Sequence, residues 1–241
     1  QGRYVVEAMN LAGYGIAVPG VHEFDYGVSG LVGTLSKGAK HQYISCNFTM
    51  TANGQTVFKP YVIKTYGSAK VAYIGISDPQ TISKSGASFK NSDGSAAYSF
   101  ADGSGGKKLY EAVQNAIDEA KAAGADYIVA IGHLSTTGDA AYTPKSVIEN
   151  TTGIQAFIDG NTHTAIVGEK VKGADGAEAL LTCAGAGLNN IGVLTITAGK
   201  SISSQLVNSY RLRDIKTKDG IDALTKKYKQ NLQESFATTS S

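Results

Sequence analysis

An amphipathic helix followed directly by an apolar strand constrains the fold of this 241-residue chain more than any other feature. The helix is predicted over residues 107–123, because apolar side chains recur there at helical spacing and Gly124 ends the pattern. Residues 126–131 follow and are apolar with little alternation, as expected for a strand that other layers cover on both faces. A helix–strand unit of this kind predicts an α/β fold.

Further strands and two terminal helices are predicted around this unit. The turn signal Gly67-Ser68 predicts a hairpin over residues 61–76. Residues 83–106 are rich in Ser, Gly and Asp, so we expect an exposed excursion there. Helices are predicted to end at Gly13, to run weakly over 30–36, and to span Asp219 to Phe236. The other predicted strands are 16–18, 43–46, 165–167, 179–183, 191–197 and 202–210.

Composition excludes several classes of protein. The net charge is +2, from 22 basic and 20 acidic residues, which excludes a strongly basic nucleic-acid binder and an acidic disordered chain. No apolar run approaches about 18 residues, so no membrane span is predicted. A basic stretch at 211–229 is interpreted as a solvated helix face, because it carries no aromatic stacking platform. The low charged fraction of 17% and the Ser/Thr/Gly/Asn-rich loops favour an extracellular or cell-envelope location.

The two cysteines are interpreted as buried thiols. Cys46 and Cys183 both lie in apolar, strand-like runs, where a free cysteine behaves as a small hydrophobe. Whether they pair as a disulfide depends on geometry that the spacing does not give.

Three of the four histidines follow strand-like runs and a glycine. They are His22, His133 and His163, whereas His41 lies between two elements and is expected on the surface. Loops beyond the carboxyl ends of strands in an open α/β sheet converge on one crevice. Each histidine alone has a structural interpretation, but three in one context favour a shared site for a metal or for acid–base groups. The acidic residues near them are Glu23, Asp25 and Asp159.

Motifs of competing chemistries are missing from the sequence. No strand is followed by a Gly-x-Gly-x-x-Gly turn, and no P-loop lysine or Gly-x-Ser-x-Gly elbow occurs. Neither cysteine lies beside a histidine in the sequence. Phosphate binding by a glycine loop and covalent hydrolysis are therefore unsupported.

Six segments resemble known family motifs in the family's order. They are residues 4–10, 19–27, 43–48, 60–79, 125–134 and 158–164. Together they resemble the 5′-nucleotidase / UDP-sugar hydrolase family of calcineurin-like metallophosphoesterases, over most of residues 1–210. The resemblance implies a hydrolase with a four-layer α/β/β/α sandwich, here lacking its first strand. It also implies a partial metallophosphoesterase domain at 1–212, followed by a linker helix and tail at 213–241.

The same resemblance implies a divalent-metal site of the Zn, Mn or Mg class that acts on a small-molecule nucleotide or phosphoester. His133 and His163 match metal-ligand positions of the family. His22 and Asp25 match the residue that stabilises the phosphoryl charge and the residue that orients it. Two ligand positions depart from the family pattern: Val21 stands where the family has Asn, and Asn161, a weak donor, stands where it has His.

The family's Asp-x-His and Gly-Asp motifs, which include the carboxylate that bridges the two metals, are expected upstream of Gln1. We therefore expect a degenerate active site in a chain that by itself hydrolyses phosphoesters weakly or not at all. The alternative is a non-catalytic surface, scaffold or ligand-binding module on the same fold. A third hypothesis is that another chain supplies the missing strand. Open strand edges also predict low stability or self-association.

Overall fold

The computed structural model describes residues 2–84, 86–135, 139–212 and 214–239. The α-helices in these ranges are α1 (Arg3–Ala12), α2 (Gly27–Gly30), α3 (Ser36–Gly38), α4 (Thr81–Lys84), α5 (Lys107–Ala122), α6 (Pro144–Glu149) and α7 (Ile221–Thr239). A π-helical segment, Leu31–Leu35, joins α2 to α3.

The described ranges also contain short and long β-strands in chain order. These are β1 (Ile16–Ala17), β2 (Gln42–Tyr43), β3 (Thr49–Met50), β4 (Tyr61–Tyr66), β5 (Ala69–Ile76), β6 (Tyr98–Ser99), β7 (Tyr127–Gly132), β8 (Ala156–Asp159), β9 (Ala165–Lys172), β10 (Glu178–Ala184), β11 (Asn190–Thr197) and β12 (Ser201–Asn208).

A six-stranded mixed sheet organises the molecule, in the order β4-β5-β7-β8-β10-β9. The four central strands are parallel to one another, and the two edge strands, β4 and β9, run antiparallel to them. Helices α5 and α6 pack on one face of this sheet, where alternate β5 residues such as Ile74 and Ile76 contribute to the main core. All five apolar residues that define the buried stripe of α5 are inaccessible to solvent, as the helical spacing predicts.

The opposite face of the sheet is covered by the β11–β12 hairpin. Leu194, Ile196 and Ile202 pack there over Val71 and Val129. Two sheets thus face each other beside a helical layer, and the predicted α/β class is confirmed.

An aromatic core lies beside the sheet and corrects one expectation. Phe24, Phe48, Phe89 and Phe100 form a cluster in which Phe48 stacks on Phe100 with ring centroids 4.7 Å apart. Phe89 and Phe100 belong to residues 83–106, which the composition had predicted to be an exposed excursion. That prediction is wrong for these two side chains. Burying a large aromatic ring removes much apolar surface from water, so the two phenylalanines are buried although the residues around them are polar.

His41 also differs from expectation, since it is buried with 4% of its surface exposed rather than lying on the surface. Its ring packs edge-on against Tyr43 at a centroid distance of 4.8 Å. Both cysteines are buried, as predicted, and both are free thiols.

Most long elements were predictable, and two were not. The hairpin at β4–β5, strand β7 and the strands from β9 to β12 lie where the sequence predicts them. Helix α6 and the full extent of β8 were not predicted, because each is too short for a clear periodic pattern. In the described part of the chain, no helix combines the length and apolar character that crossing a bilayer requires.

The C-terminal helix packs on the N-terminal one. Tyr228 of α7 lies on Tyr4 of α1 with ring centroids 4.1 Å apart. The Tyr228 hydroxyl donates to Glu7 at 2.9 Å. Helix α7, predicted over Asp219 to Phe236, therefore exists and is fixed to α1.

Candidate active site

The carboxyl ends of three neighbouring parallel strands carry polar residues. Asp78 follows β5, His133 follows β7 directly, and Asp159 is the last residue of β8. Residues 20–25 lie in the loop after β1, which brings Gly20 next to His133. Strand β1 pairs with β2 in parallel. Residues that are far apart along the chain therefore lie around His133, where the charges of Glu23, Asp78 and His22 act on it, and the surface that they border is termed the crevice.

His133 packs against the backbone of Gly20. A Cβ atom at residue 20 would lie 2.8 Å from both Cε1 and Nε2 of the imidazole, so only glycine fits there without a shift. The carboxylate of Glu23 closes the same corner by accepting a hydrogen bond from the Gly20 N–H at 2.8 Å. The loop and the histidine therefore fix each other.

Burial lowers the pKa of His133 below its usual value. The charges of Glu23 and Asp78 act in the opposite direction, and those of Lys84 and His22 add to the lowering. The imidazole is therefore held in its neutral form at neutral pH, with a free electron pair on one ring nitrogen.

Asp159 is the most strongly perturbed carboxyl group of the crevice. Its Oδ1 atom accepts a hydrogen bond from the Leu134 N–H at 2.8 Å. Its Oδ2 atom is buried and has no partner among the described residues. Burial raises the pKa of Asp159 to about 7, and the nearby charge of Asp78 acts in the same direction.

Asp78 was not singled out in the sequence. It is buried, its Oδ1 accepts the Gln80 N–H at 2.9 Å, and Lys84 Nζ lies 3.5 Å from its Oδ2. A signal was present, since Ser77-Asp78 follows a predicted strand in the way that His133 follows β7. Only the tertiary structure places its charge opposite His133.

His22 and Asp25 form the pair that the resemblance implies. His22 Nδ1 lies 3.1 Å from Asp25 Oδ2, and the His22 side chain is 89% exposed at the mouth of the crevice. The charge of His22 acts on His133, so the two imidazoles share one site.

Asn161 and His163 follow β8 but contribute less. Asn161 is half-buried. His163 is exposed and has a positive φ of 58°, an uncommon backbone conformation for a residue with a side chain. Val21, the other position that departs from the family pattern, has no side-chain donor atom at all.

Among the described residues, no group of three or more His, Cys, Asp or Glu side chains is arranged to hold a metal ion. Val21 has no ligand atom, and His133 packs on the backbone of Gly20. The described residues therefore do not fit a dinuclear metal centre by themselves.

Comparison with known proteins identifies related phosphoesterases. The chain is 32% identical over 176 residues to the trifunctional nucleotide phosphoesterase protein YfkN of Bacillus subtilis, a match that covers 66% of this chain and 11% of that protein. It is 28% identical over 196 residues to the 2′,3′-cyclic-nucleotide 2′-phosphodiesterase/3′-nucleotidase of Salmonella typhimurium, covering 73% of this chain and 28% of that protein. It is also 28% identical over 170 residues to the snake venom 5′-nucleotidase of Crotalus adamanteus, covering 68% and 26%. No family model matches the chain.

Solved structures give the same fold. The calcineurin-like phosphoesterase YfkN from Bacillus subtilis superposes with a TM-score of 0.74 at 21% identity, covering 99% of this chain and 75% of that one. A 5′-nucleotidase precursor from Thermus thermophilus gives a TM-score of 0.74 at 22% identity, covering 97% and 46%.

The fold is thus that of the calcineurin-like phosphoesterases. The resemblance to the 5′-nucleotidase family is confirmed, since the chain's relatives include 5′-nucleotidases and 2′,3′-cyclic-nucleotide phosphodiesterases. The chain spans between 11% and 28% of the length of these relatives.

Proposed function

We propose that this chain is a 5′-nucleotidase-like phosphoesterase domain whose crevice takes a nucleotide or another small phosphoester and hydrolyses it weakly or not at all. The observation that carries the proposal is a mixed site. His22 Nδ1 lies 3.1 Å from Asp25 Oδ2, whereas by the resemblance Val21 and Asn161 occupy two ligand positions of the family. In this proposal the described residues keep the pair that would bind a phosphoryl group and keep only part of the family's metal-ligand set, at His133 and His163.

The retained groups have distinct tasks in this proposal. Asp25 accepts a hydrogen bond from Nδ1 of His22 and orients that ring, which leaves the other ring nitrogen to interact with the phosphoryl oxygens. His133 is neutral and backed by Gly20, which keeps its ring in one place.

The impairment follows from ligand chemistry. Two divalent cations about 3.5–4 Å apart repel each other strongly and need a bridging anion. A valine at residue 21 supplies no lone pair, and the amide of Asn161 is a weaker donor than an imidazole. Supporting hydrogen bonds cannot replace missing ligands.

The test is hydrolysis of AMP and of bis-p-nitrophenyl phosphate by the pure chain, with Zn²⁺, Mn²⁺ or Mg²⁺ added in turn. We expect rates at the level of the protein-free control. Metal-dependent hydrolysis that persists in the exposed-turn variant Asn53→Ala and disappears in His133→Ala would contradict the impairment.

A second candidate is a non-catalytic module that binds a ligand in the same crevice. The exposed His22 at its mouth favours this candidate, because binding an anion needs fewer aligned groups than catalysis. Saturable binding of a nucleotide or a glycan without turnover would support it, and no binding to a broad ligand panel would oppose it.

If a strand that carries the family's Asp and His is added as a peptide, activity should rise, although Val21 and Asn161 would remain poor ligands. The low charged fraction, 17%, favours secretion or attachment to the cell envelope.

A further inference from the structure

A fully buried cluster of polar side chains lies next to the crevice. Its members are different from the residues that border the crevice. Ser45, Asn47 and Ser77 each have no exposed surface. Ser45 and Asn47 lie in the segment after β2, and Ser77 is the residue directly after β5. Asn47 and Ser77 are hydrogen-bonded although they are 30 positions apart in the chain. Buried polar side chains are costly unless their hydrogen bonds are satisfied, so the cluster needs an explanation.

Asn47 satisfies every hydrogen-bonding group of its amide. Its Nδ2 donates to the carbonyl oxygens of Ser77 at 2.8 Å and Phe100 at 2.9 Å. Its Oδ1 accepts the Ser77 N–H at 2.9 Å and the Ser45 hydroxyl at 3.2 Å. An amide has two donor hydrogens and two acceptor sites, and the reverse orientation would set donors against the Ser77 N–H.

The bonds to Ser77 act on its backbone rather than on its side chain. The parallel ladder between β5 and β7 ends at the pair Ile76 and Gly132. Asn47 then holds both the N–H and the C=O of the next residue, in the way that a neighbouring strand would. The chain beyond β5 is therefore fixed one residue further, up to the point where Asp78 begins.

The residues held in this way face the crevice. Asp78 is buried, and its charge acts on both His133 and Asp159. On the other side, the Ser77 hydroxyl donates to the Pro19 carbonyl at 3.4 Å, next to the Gly20 backbone against which His133 packs. Asn47 is thus linked through Ser77 to Asp78 and to the loop at Gly20, which both lie beside His133.

We propose that Asn47 is a positioning residue of the crevice, which fixes Asp78 and the loop at Gly20 around His133 by holding the backbone of Ser77. The functional meaning of this inference rests on the proposed function, because the crevice is where the phosphoester would bind. The side-chain hydrogen bonds of Asn47 run to Ser45, Ser77 and Phe100, so it acts on the crevice through these residues.

The test compares Asn47→Ala and Asn47→Asp with Ser45→Ala. The alanine variant removes all four bonds, and the aspartate variant replaces the donating nitrogen with an acceptor that faces two carbonyl oxygens. Ser45→Ala removes a hydroxyl of the same cluster and leaves the Ser77 backbone bonded to Asn47. The main core, followed by the methyl signals of Ile117, reports whether each variant is folded.

The readout is the NMR signal of the His133 ring at a fixed pH of about 8, where an ordinary imidazole is neutral. We expect the ring signals and the Asp78 amide signal to move in both Asn47 variants and to stay in place in Ser45→Ala. Affinity for AMP should fall about tenfold in the Asn47 variants, the effect of losing about one buried hydrogen bond. Unchanged His133 and Asp78 signals in a folded Asn47 variant would overturn the proposal.

A measurement on the unmodified chain covers the case in which the variants do not fold. The Ser77 amide should exchange with solvent as slowly as amides inside β5, because Asn47 accepts its hydrogen. Rapid exchange would overturn the proposal. If the unmodified chain fails to bind AMP while the ring signals respond as expected, the proposed function fails and the positioning role stands.

Discussion

Gly20 shows how a residue without a side chain can decide the geometry of the crevice. The His133 ring occupies the space that a Cβ atom would need, and Glu23 binds the adjacent N–H. The sequence marks this glycine as a turn residue, whereas the structure adds that it is the surface on which a histidine rests.

The first prediction concerns this contact. Gly20→Ala should destabilise the fold by about 1–3 kcal/mol, because the ring or the loop has to move to accept the methyl group. Urea denaturation and the His133 ring signals measure the two effects. Gly15→Ala is the matched control, since no atom lies within 4 Å of its Cβ position; an equal loss in both variants would refute the steric explanation.

The second prediction concerns His41 and pH. Both ring nitrogens are buried without a partner among the described residues, and burial lowers the pKa of this histidine. The pKa of His41 is lower in the folded than in the unfolded protein. His41 therefore does not affect the free energy of unfolding at a pH above its unfolded pKa, and it lowers this free energy as the pH falls below that pKa. The urea midpoint should drop between about pH 7.5 and pH 5.

Replacing His41 isolates its share of that drop. His41→Phe keeps an aromatic ring beside Tyr43 and removes the titrating group. The variant should therefore lose less stability than the wild type over the same pH range. An identical pH dependence in the two proteins would show that His41 does not titrate in this way.

At the scale of elements, the helical segment from α2 to α3 is rich in glycine and contains a π-helical turn. Gly33 lies within that turn, is exposed, and has open space where a Cβ would be. Gly30 differs, because its Cβ would lie 3.0 Å from the Cβ of Tyr26.

The third prediction follows from this difference. Gly33→Ala should raise the free energy of unfolding by about 0.5–1 kcal/mol, because alanine restricts the unfolded chain and fits the helix. Gly30→Ala should gain less or lose stability. Thermal unfolding of both variants decides the matter, and a larger gain at Gly30 would be the contrary result.

The same scale shows where sequence patterns succeed. Helix α5 and strand β7 have long, regular apolar patterns, so their positions and buried faces were predictable. Phe89 and Phe100 lie in a polar, glycine-rich segment, where local composition hides two buried rings. Their burial depends on Phe24 and Phe48, which are distant in the chain, so no local pattern could predict it.

At the scale of the molecule, the two-stranded β11–β12 sheet has two open edges among the described residues, and β11 forms one of them. Strand β11 pairs with β12 on one side, and no other strand of the described ranges pairs with its second side. Strand β11 also carries no charged residue, whereas the edge strand β9 carries Glu169, Lys170 and Lys172. Charged side chains on an edge oppose pairing with another molecule, and β11 lacks them.

The fourth prediction is self-association through this edge. Sedimentation velocity of the pure chain should show species larger than a monomer, and Ile191→Lys, at an exposed position of β11, should reduce them. Val167→Lys on the charged strand β9 is the control and should change little. A monomer at all concentrations, with a high melting temperature, would contradict the prediction.

The sequence by itself determined the α/β class, the principal helix and strands, and the family resemblance, because regular apolar spacing and short polar motifs are local properties of the chain. It also placed His22, His133 and Asp159 at strand ends, where one crevice was to be expected. Only the tertiary structure decided that Asp78 and Asn47 belong with them, that His133 rests on Gly20, and that His41 is buried. Those relations depend on contacts between segments far apart in the chain, and burial and hydrogen bonding there arise only once the strands are packed together.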